Sequence, residues 1–364
     1  MSANFRFNND LLRGDLDRQN AYDAYGRIYF ALDNPDLRAL FEPRDDAAND
    51  AKKRSRRRGI QAVLLVMLAL LIAAWAPIWE QLPALQRQVM AAIGGLLGLY
   101  GGFLGLTGVL FGETKREWLR NRFITERLRQ LHFQTLLALA PIVLSAAETE
   151  ETDLFLKART AALAQFESDQ IAHIDAKLGS VLSRDVGDEP WIPDIPFDST
   201  APEGPYLDLF LEALSHLRIN HQIDFAEYKL SSDEKLFSVL PFRQIKVLDT
   251  AAFACVLILL ILDVLVLIGA AAILPAPLLP WVHGWAISFA IVALAVRTLE
   301  EGLQPHREVE RYRQYGSALR LIRNRFQQAS NPRDKLQALK DLEDLSYWEM
   351  VSFLKSSDES RFVM

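Results

Sequence analysis

Four long stretches of this sequence contain almost no charged residues, and they constrain the fold more than any other feature. They cover residues 59–79, 88–112, 250–274 and 281–296, and Asp263 is the only charged residue among them. A helix of about 20 apolar residues is long enough to cross the hydrocarbon core of a bilayer. The sequence therefore predicts an all-α, polytopic membrane protein with four transmembrane helices.

Short turns and basic flanks predict how the four spans are arranged. Pro83 separates the first two spans and the segment 275–277 separates the last two, so the spans form two transmembrane hairpins. Six basic residues within 52–58 precede the first span, and more follow the second and the fourth. Basic residues favour the cytoplasmic side, so both termini are expected there. The predicted regions are a cytoplasmic N-terminal arm (1–58), hairpin one (59–112), a cytoplasmic helical region (113–248), hairpin two (249–299) and cytoplasmic C-terminal helices (300–364).

Six glycines in the second span are spaced for one helix face. They are separated by 4, 3, 4, 3 and 4 residues, which places them within a stripe about 80° wide on an ideal helix. They are Gly94, Gly98, Gly101, Gly105, Gly108 and Gly112. Small residues let two helix backbones approach closely within a membrane, so the stripe predicts packing against the first span. The functional alternative is a stripe that lines or closes an oligomeric pore.

Asp263 lies near the middle of the third span, within the segment LILLILDVLVLIG. An acidic residue at this depth costs about 2.5–3.5 kcal/mol on insertion scales, so it should face protein or water. One interpretation is a pore-lining or gating carboxylate, paired with Tyr100 or Ser288 at similar depth. The other is a protonated aspartate that forms hydrogen bonds between helices or protomers. We expect a homo-oligomer in the lipid bilayer.

The remaining composition argues against several classes of protein. A net charge of −6 argues against nucleic-acid binding, and Cys255 is the only cysteine, which excludes an intrachain disulfide. The six histidines show no metal-ligand spacing, and no phosphate loop or catalytic dyad is visible. We therefore expect no enzyme activity, no catalytic residue, no cofactor and no metal. A membrane enzyme is the second alternative, and a cluster of polar residues at one depth would support it.

Outside the spans, the sequence predicts further helices and one loop. Helices are expected over 11–32, 149–182, 206–228, 307–328 and 335–355, and the proline-rich segment 187–205 is expected to be a loop. The segment 136–147 is apolar but too short to cross a bilayer. It predicts a buried or interfacial helix.

The helix that follows the second span places Trp118, Arg122, Glu126 and Arg129 on one face. Glu126 can form ion pairs with both arginines along that face. The simplest interpretation is a solvated amphipathic helix that leaves the membrane.

Three short strings of residues stand out in the predicted cytoplasmic helices. The pattern W-x3-R-x3-E-x-L-R with a downstream aromatic residue is formed by Trp118, Arg122, Glu126, Leu128, Arg129 and Phe133. A second string contains Arg218, Gln222 and Lys229, and a third contains Glu343, Glu349 and Phe353. These strings resemble the SLATT superfamily, the SMODS- and SLOG-associating two-transmembrane effectors, with phenylalanine at 353 where that family would have tryptophan. Two hairpins would make this chain a duplicated-hairpin form.

The resemblance implies a function that composition and spacing do not. It implies a membrane-embedded effector of a bacterial conflict or defence system, either pore-forming or membrane-perturbing, in the bacterial inner membrane. Its system partner would be a cytosolic sensor or a nucleotide synthase. The alternative is a non-conducting membrane scaffold or signalling partner that docks a cytosolic protein.

Overall fold

The computed structural model describes residues 7–80, 82–107, 113–183, 190–198, 203–231, 240–270 and 278–359. Over these residues the chain is all-helical, without a strand, as the sequence predicts. Four of its helices are long and apolar enough to cross a membrane.

Fifteen α-helices follow one another in the described residues. They are α1 (Asp15–Tyr25), α2 (Tyr29–Leu32), α3 (Pro35–Ala74), α4 (Ala76–Trp79), α5 (Ala84–Gly105), α6 (Glu113–Ala138), α7 (Ala140–Thr149), α8 (Asp153–Phe166), α9 (Ile174–Leu182), α10 (Leu207–Leu214), α11 (His221–Leu230), α12 (Pro241–Ala270), α13 (Leu279–Leu303), α14 (Pro305–Gln328) and α15 (Pro332–Glu359). Short 3₁₀ turns cover Asn9–Leu11 and Gly26–Ile28, and π-helical turns cover Glu167–Ile171 and Ser215–Asn220.

The first candidate span is part of a much longer helix. Helix α3 has 40 residues and runs from Pro35 through the basic segment into the apolar stretch. Proline suits the first position of a helix, and the Asn34 side chain caps this end by accepting a hydrogen bond from the Leu37 backbone N–H (3.2 Å). The basic residues that follow are good helix formers, and the helix continues into the apolar stretch although Pro43 lies within it.

The chain's own residues cover the four candidate spans only slightly. In the apolar 18-residue stretch of α3, α5 and α12, 11% of the residues are buried. In the corresponding stretch of the helix that begins at Leu279, 28% are buried. Trp75, at the end of the first span, packs edge-on against Trp281 and Trp285 of α13. The spans therefore present large apolar surfaces that a bilayer or another chain would cover.

The short apolar segment 136–147 lies where α6 meets α7. The two helices are bent by 67° and together meet the length and hydropathy criteria for a broken span. Leu136, Val143 and Leu144 are nevertheless buried in the main hydrophobic core. The segment 136–147 is thus buried, which is one of the two alternatives, buried or interfacial, that the sequence predicts.

Three predicted helices are interrupted. The 3₁₀ turn Gly26–Ile28 interrupts 11–32, the π-helical turn Ser215–Asn220 interrupts 206–228, and 149–182 is broken at two places. The sequence favours a continuous helix over 149–182, but α7 ends where Glu150 adopts a left-handed φ of 66°, and α8 begins at Asp153. The π-helical turn Glu167–Ile171 then separates α8 from α9. The predicted continuity is therefore wrong, and neither break of 149–182 carries a proline or a glycine that would have indicated it.

The chain divides into two compact units, each built from separated segments. The first unit takes its described residues from 1–50, 117–231 and 309–358, and it contains the main hydrophobic core. The second unit takes its described residues from 51–116 and 232–308, and it contains the apolar spans.

Candidate functional site

Helix α6 is buried, which contradicts its interpretation as a solvated helix. Trp118 and Phe123 are 2% and 0% exposed, and the charged residues Arg127 and Arg129 are 1% and 7% exposed. Buried charges are costly unless they are paired and hydrogen-bonded. The partners of these side chains therefore define a polar network inside the first unit.

Glu126 lies between two arginines of its own helix, as its spacing predicts. It forms ion pairs with Arg122 and with Arg129, the latter at 2.8 Å between Oε2 and Nη1. The Nε of Arg129 is also 2.9 Å from Oδ2 of Asp10, and its guanidinium lies over the ring of Phe41. The α6 ion pairs are thus extended into the N-terminal segment.

Asp10 is fully buried on the 3₁₀ turn Asn9–Leu11. Burial alone raises the pKa of its carboxyl, but the charges of Arg129, His221 and Arg218 outweigh burial and hold the pKa below its ordinary value. The residues on either side of the turn, Asn8 and Leu12, both have left-handed backbone conformations, with φ of 61° and 50°. These conformations are unfavourable for a branched side chain such as leucine.

The second and third motif strings meet in a buried ion pair. Arg218, on the π-helical turn Ser215–Asn220, donates hydrogen bonds of 2.6 and 2.9 Å to the two carboxylate oxygens of Glu343 on α15. Its guanidinium lies 4.7 Å from the ring centroid of Phe133, the aromatic residue of the first string. Burial lowers the pKa of Arg218, but the Glu343 carboxylate more than offsets this and raises it.

Further contacts connect the remaining motif residues through α14. The ring of Trp118 packs edge-on against Phe353, at 5.6 Å between centroids. Arg311 lies over the same Phe353 ring and within 3.6 Å of Glu349.

Tyr315 of α14 connects the second string to α15. Its hydroxyl is 3.2 Å from Gln222 Oε1, to which it donates, and 3.2 Å from the Ser346 hydroxyl of α15. Lys229 lies over the ring of Phe225 on its own helix. The three strings, which are far apart in sequence, thus converge in one unit, although sequence spacing alone does not show this.

Sequence reasoning missed several members of the network. His132 is completely buried, and burial first, then the charge of Arg159, lower its pKa to about 3. No hydrogen-bond partner for its Nε2 is found in the described parts of the chain. His221 Nε2 is 3.5 Å from Asp10. No sequence signal identified Asp10, because the N-terminal segment shows no motif and its partners are distant.

An open pocket of about 570 Å³ lies on the first unit. Its lining includes the charged residues Asp208, Glu212 and Lys335 together with Tyr25 and His216. The Tyr25 hydroxyl is 3.3 Å from Nδ1 of His216. Burial and then the Glu212 charge raise the pKa of Tyr25. The pocket therefore offers groups of both charges and does not select one class of ligand.

The three polar residues predicted within the spans do not meet in one copy of the chain. Ser288 is buried, accepts a hydrogen bond from Trp75 Nε1 (2.9 Å) and donates one to the Gly284 carbonyl (2.7 Å). Tyr100 is 56% exposed on α5. Asp263 is exposed on α12, and no hydrogen bond or ion pair joins it to any residue whose placement the structure gives.

The glycine stripe faces the first span. A Cβ atom added at Gly101 would lie 3.0 Å from the Leu65 Cβ and 3.1 Å from the Ala62 carbonyl oxygen. At Gly94 and Gly98 the nearest atoms, on Ile72 and Ala69, would be 3.2 and 3.4 Å away. Gly105 has more room, at 4.0 Å from Ala62. Gly108 and Gly112 lie outside the described residues.

No protein-family model matches this chain, and searches of curated proteins and solved structures find no significant match. The fold therefore defines only a general class: an all-helical chain with four helices long and apolar enough to cross a membrane. The resemblance to the SLATT superfamily stays a prediction.

Proposed function

We propose that this protein is an oligomeric, membrane-embedded effector that forms a pore or otherwise perturbs the bilayer. The resemblance of the three strings to the SLATT superfamily adds the proposal that it acts in a bacterial conflict system, in the inner membrane. The observation that carries the proposal is the exposure of Asp263 on a candidate transmembrane helix.

The surroundings of Asp263 support an oligomer. Its neighbours Leu260, Val264 and Leu267 are 61%, 49% and 71% exposed in a single copy of the chain. Apolar side chains of this kind are stable against lipid, whereas a carboxyl group at the same depth is not. A second copy of the chain would shield the Asp263 carboxyl from lipid, and a water-filled path would hydrate it. Either arrangement would avoid the cost of placing the carboxyl in lipid.

A water-filled path at Asp263 supports a pore-forming effector over a purely structural role for this residue. Intramembrane acids generally face a bundle interior or an aqueous cavity and mark ion pathways. Ser288 is already hydrogen-bonded to Trp75, and Tyr100 is on the exposed side of α5, so Asp263 has no structural partner among the described residues of its own chain.

Ion flux from liposomes tests this proposal. The purified protein should release an encapsulated ion, and Asp263→Asn should slow release by at least about tenfold at equal protein density. Asp23→Asn, the same chemical change at an exposed site on α1, is the matched control and should leak like the wild type.

Two results would reject the pore. Wild-type liposomes that leak no faster than empty ones would favour the non-conducting scaffold. Unchanged flux through Asp263→Asn would reject a role for this carboxylate in conduction.

A further inference from the structure

We propose that Asp249, Glu300 and His306 bind a divalent metal ion, with Zn²⁺ as the best-matched ion, at one end of the second hairpin. Asp249 lies on α12, Glu300 in the last turn of α13, and His306 in the first turn of α14. One ligand atom from each residue lies within 4.8 Å of the other two. Nothing in the proposal depends on pore formation.

The turn between α13 and α14 brings two of the ligands together. Helix α13 ends at Leu303, Gln304 adopts a left-handed φ of 46°, and Pro305 begins the next helix. The Gln304 N–H donates to the Glu300 carbonyl oxygen (2.8 Å), which closes the last turn of α13. As a result, His306 Nε2 is 3.4 Å from Glu300 Oε1.

The distances suit a common metal ion. Zinc bonds to nitrogen and oxygen are about 2.0–2.2 Å long, so two tetrahedral ligands are about 3.4 Å apart. The pair His306 and Glu300 already has this separation. Asp249 Oδ2 is 3.9 Å from His306 Nε2, and its half-exposed side chain needs only a small rotation to close the site.

Arg297 positions the carboxylates without occupying the ligand atoms. It is hydrogen-bonded to Oε2 of Glu300 and lies 3.8 Å from Oδ1 of Asp249, whereas the opposite oxygen of each carboxylate faces His306. Groups that hold the free oxygen of a ligating carboxylate are typical of metal sites. Two carboxylates against one guanidinium also leave one negative charge uncompensated among these four groups when the imidazole is neutral.

The position of Glu300 gives an independent reason for a cation. The last turn of α13 contains no basic residue. The carboxyl end of a helix carries a partial negative charge, so an acidic side chain there is unfavourable unless a cation is near. Arg297 supplies part of this compensation, and a bound metal ion would supply the rest.

The ligand set indicates which ions should bind. Imidazole favours Zn²⁺ and similar transition metals, and two carboxylates are compatible with Zn²⁺ and Mn²⁺. Mg²⁺ prefers octahedral oxygen ligands and keeps its waters, so it should bind more weakly. The remaining coordination positions would be taken by water.

Metal binding to the full-length protein in detergent tests the proposal. After treatment with a chelator, equilibrium dialysis should give one Zn²⁺ per chain for the wild type. His306→Ala and Glu300→Gln should each weaken the affinity by at least about tenfold. His283→Ala, which removes an exposed histidine near the other end of α13, should bind like the wild type.

A second measurement keeps the test independent of folding defects. Zn²⁺ should raise the melting temperature of the wild type and of His283→Ala but not of His306→Ala, and all three should melt at similar temperatures without metal. The proposal is overturned if the wild type binds no stoichiometric Zn²⁺, if His306→Ala and Glu300→Gln bind it equally well, or if His283→Ala abolishes binding, which would show an adventitious surface ion.

Discussion

Arg218 and Glu343 form a two-hydrogen-bond ion pair in which both side chains are almost completely buried, at 3% and 1% exposure. The pair joins two of the three strings that resemble the SLATT superfamily. Because both charges are buried, each depends on the other for compensation.

Removing one partner of the pair should be far more damaging than removing both. Arg218→Ala or Glu343→Ala leaves an uncompensated buried charge and should destabilise the protein by about 3–5 kcal/mol. The double variant Arg218→Met/Glu343→Leu should recover most of this loss, because buried ion pairs are often replaceable by apolar side chains. Thermal unfolding of the full chain in detergent measures both effects.

An exposed pair supplies the control for this experiment. Arg325 and Asp341 are 2.7 Å apart, and the Arg325 side chain is 61% exposed, so Arg325→Ala should cost less than about 1 kcal/mol. Equal losses at the two sites would contradict the structural role of the Arg218–Glu343 pair.

The folding stability of the protein should depend on pH through the buried residue His132. Burial lowers the pKa of His132 from 6.5 to about 3, so the folded protein resists a proton that the unfolded chain accepts. Folding stability should therefore fall as pH decreases from 6.5 towards 3, by up to about 1.4 kcal/mol per pH unit from this group. Replacing the imidazole in His132→Leu should flatten this part of the stability profile.

The matched control is His173→Ala, because His173 is exposed in the same unit. Its melting temperature should follow the wild-type pH dependence. A wild-type profile that is unchanged in His132→Leu would show that other groups determine acid sensitivity.

Two adjacent glycines should respond differently to the same substitution. Gly101→Ala would bring a Cβ within 3.0 Å of Leu65 and should destabilise the first hairpin by about 1–3 kcal/mol. At Gly102 no atom lies within 4 Å of the added Cβ, so Gly102→Ala should be tolerated. Thermal stability and monodispersity in detergent distinguish the two variants, and equal behaviour would argue against close packing of the stripe on α3.

The Trp75–Ser288 hydrogen bond should stabilise the contact between the first and fourth spans. Trp75→Phe and Ser288→Ala should each cost about 0.5–1.5 kcal/mol. Because each variant removes the same bond, the double variant should cost less than the sum of the two. Additive losses in a double-mutant cycle would show that the bond contributes nothing.

The sequence predicts the four long apolar helices well because each depends on local properties. Runs of apolar residues identify four helices of the structure. Helix α6 shows the limit of local reasoning, since its polar composition suggests solvent exposure. Its burial depends on Asp10 and Phe353, which lie far away in the chain and cannot be associated with it from spacing alone.

The breaks in the helical region were missed for a related reason. Glu150 ends α7 in a left-handed conformation that sequence rules assign mainly to glycine and asparagine. The ligands Asp249 and His306 were likewise not recognised, because their proximity arises from neighbouring helices and the left-handed residue Gln304 rather than from a motif.

Because the chain is synthesised from its N-terminus, the first unit can complete its folding only late in synthesis. Asp10 emerges first, whereas Arg129 follows after the first hairpin and Glu343 only after the second. Domains generally fold as their sequence becomes available during synthesis. The buried Arg218–Glu343 pair therefore cannot form until nearly the whole chain has been made and both hairpins have left the ribosome. Formation of this ion pair would thus show that both hairpins have been synthesised.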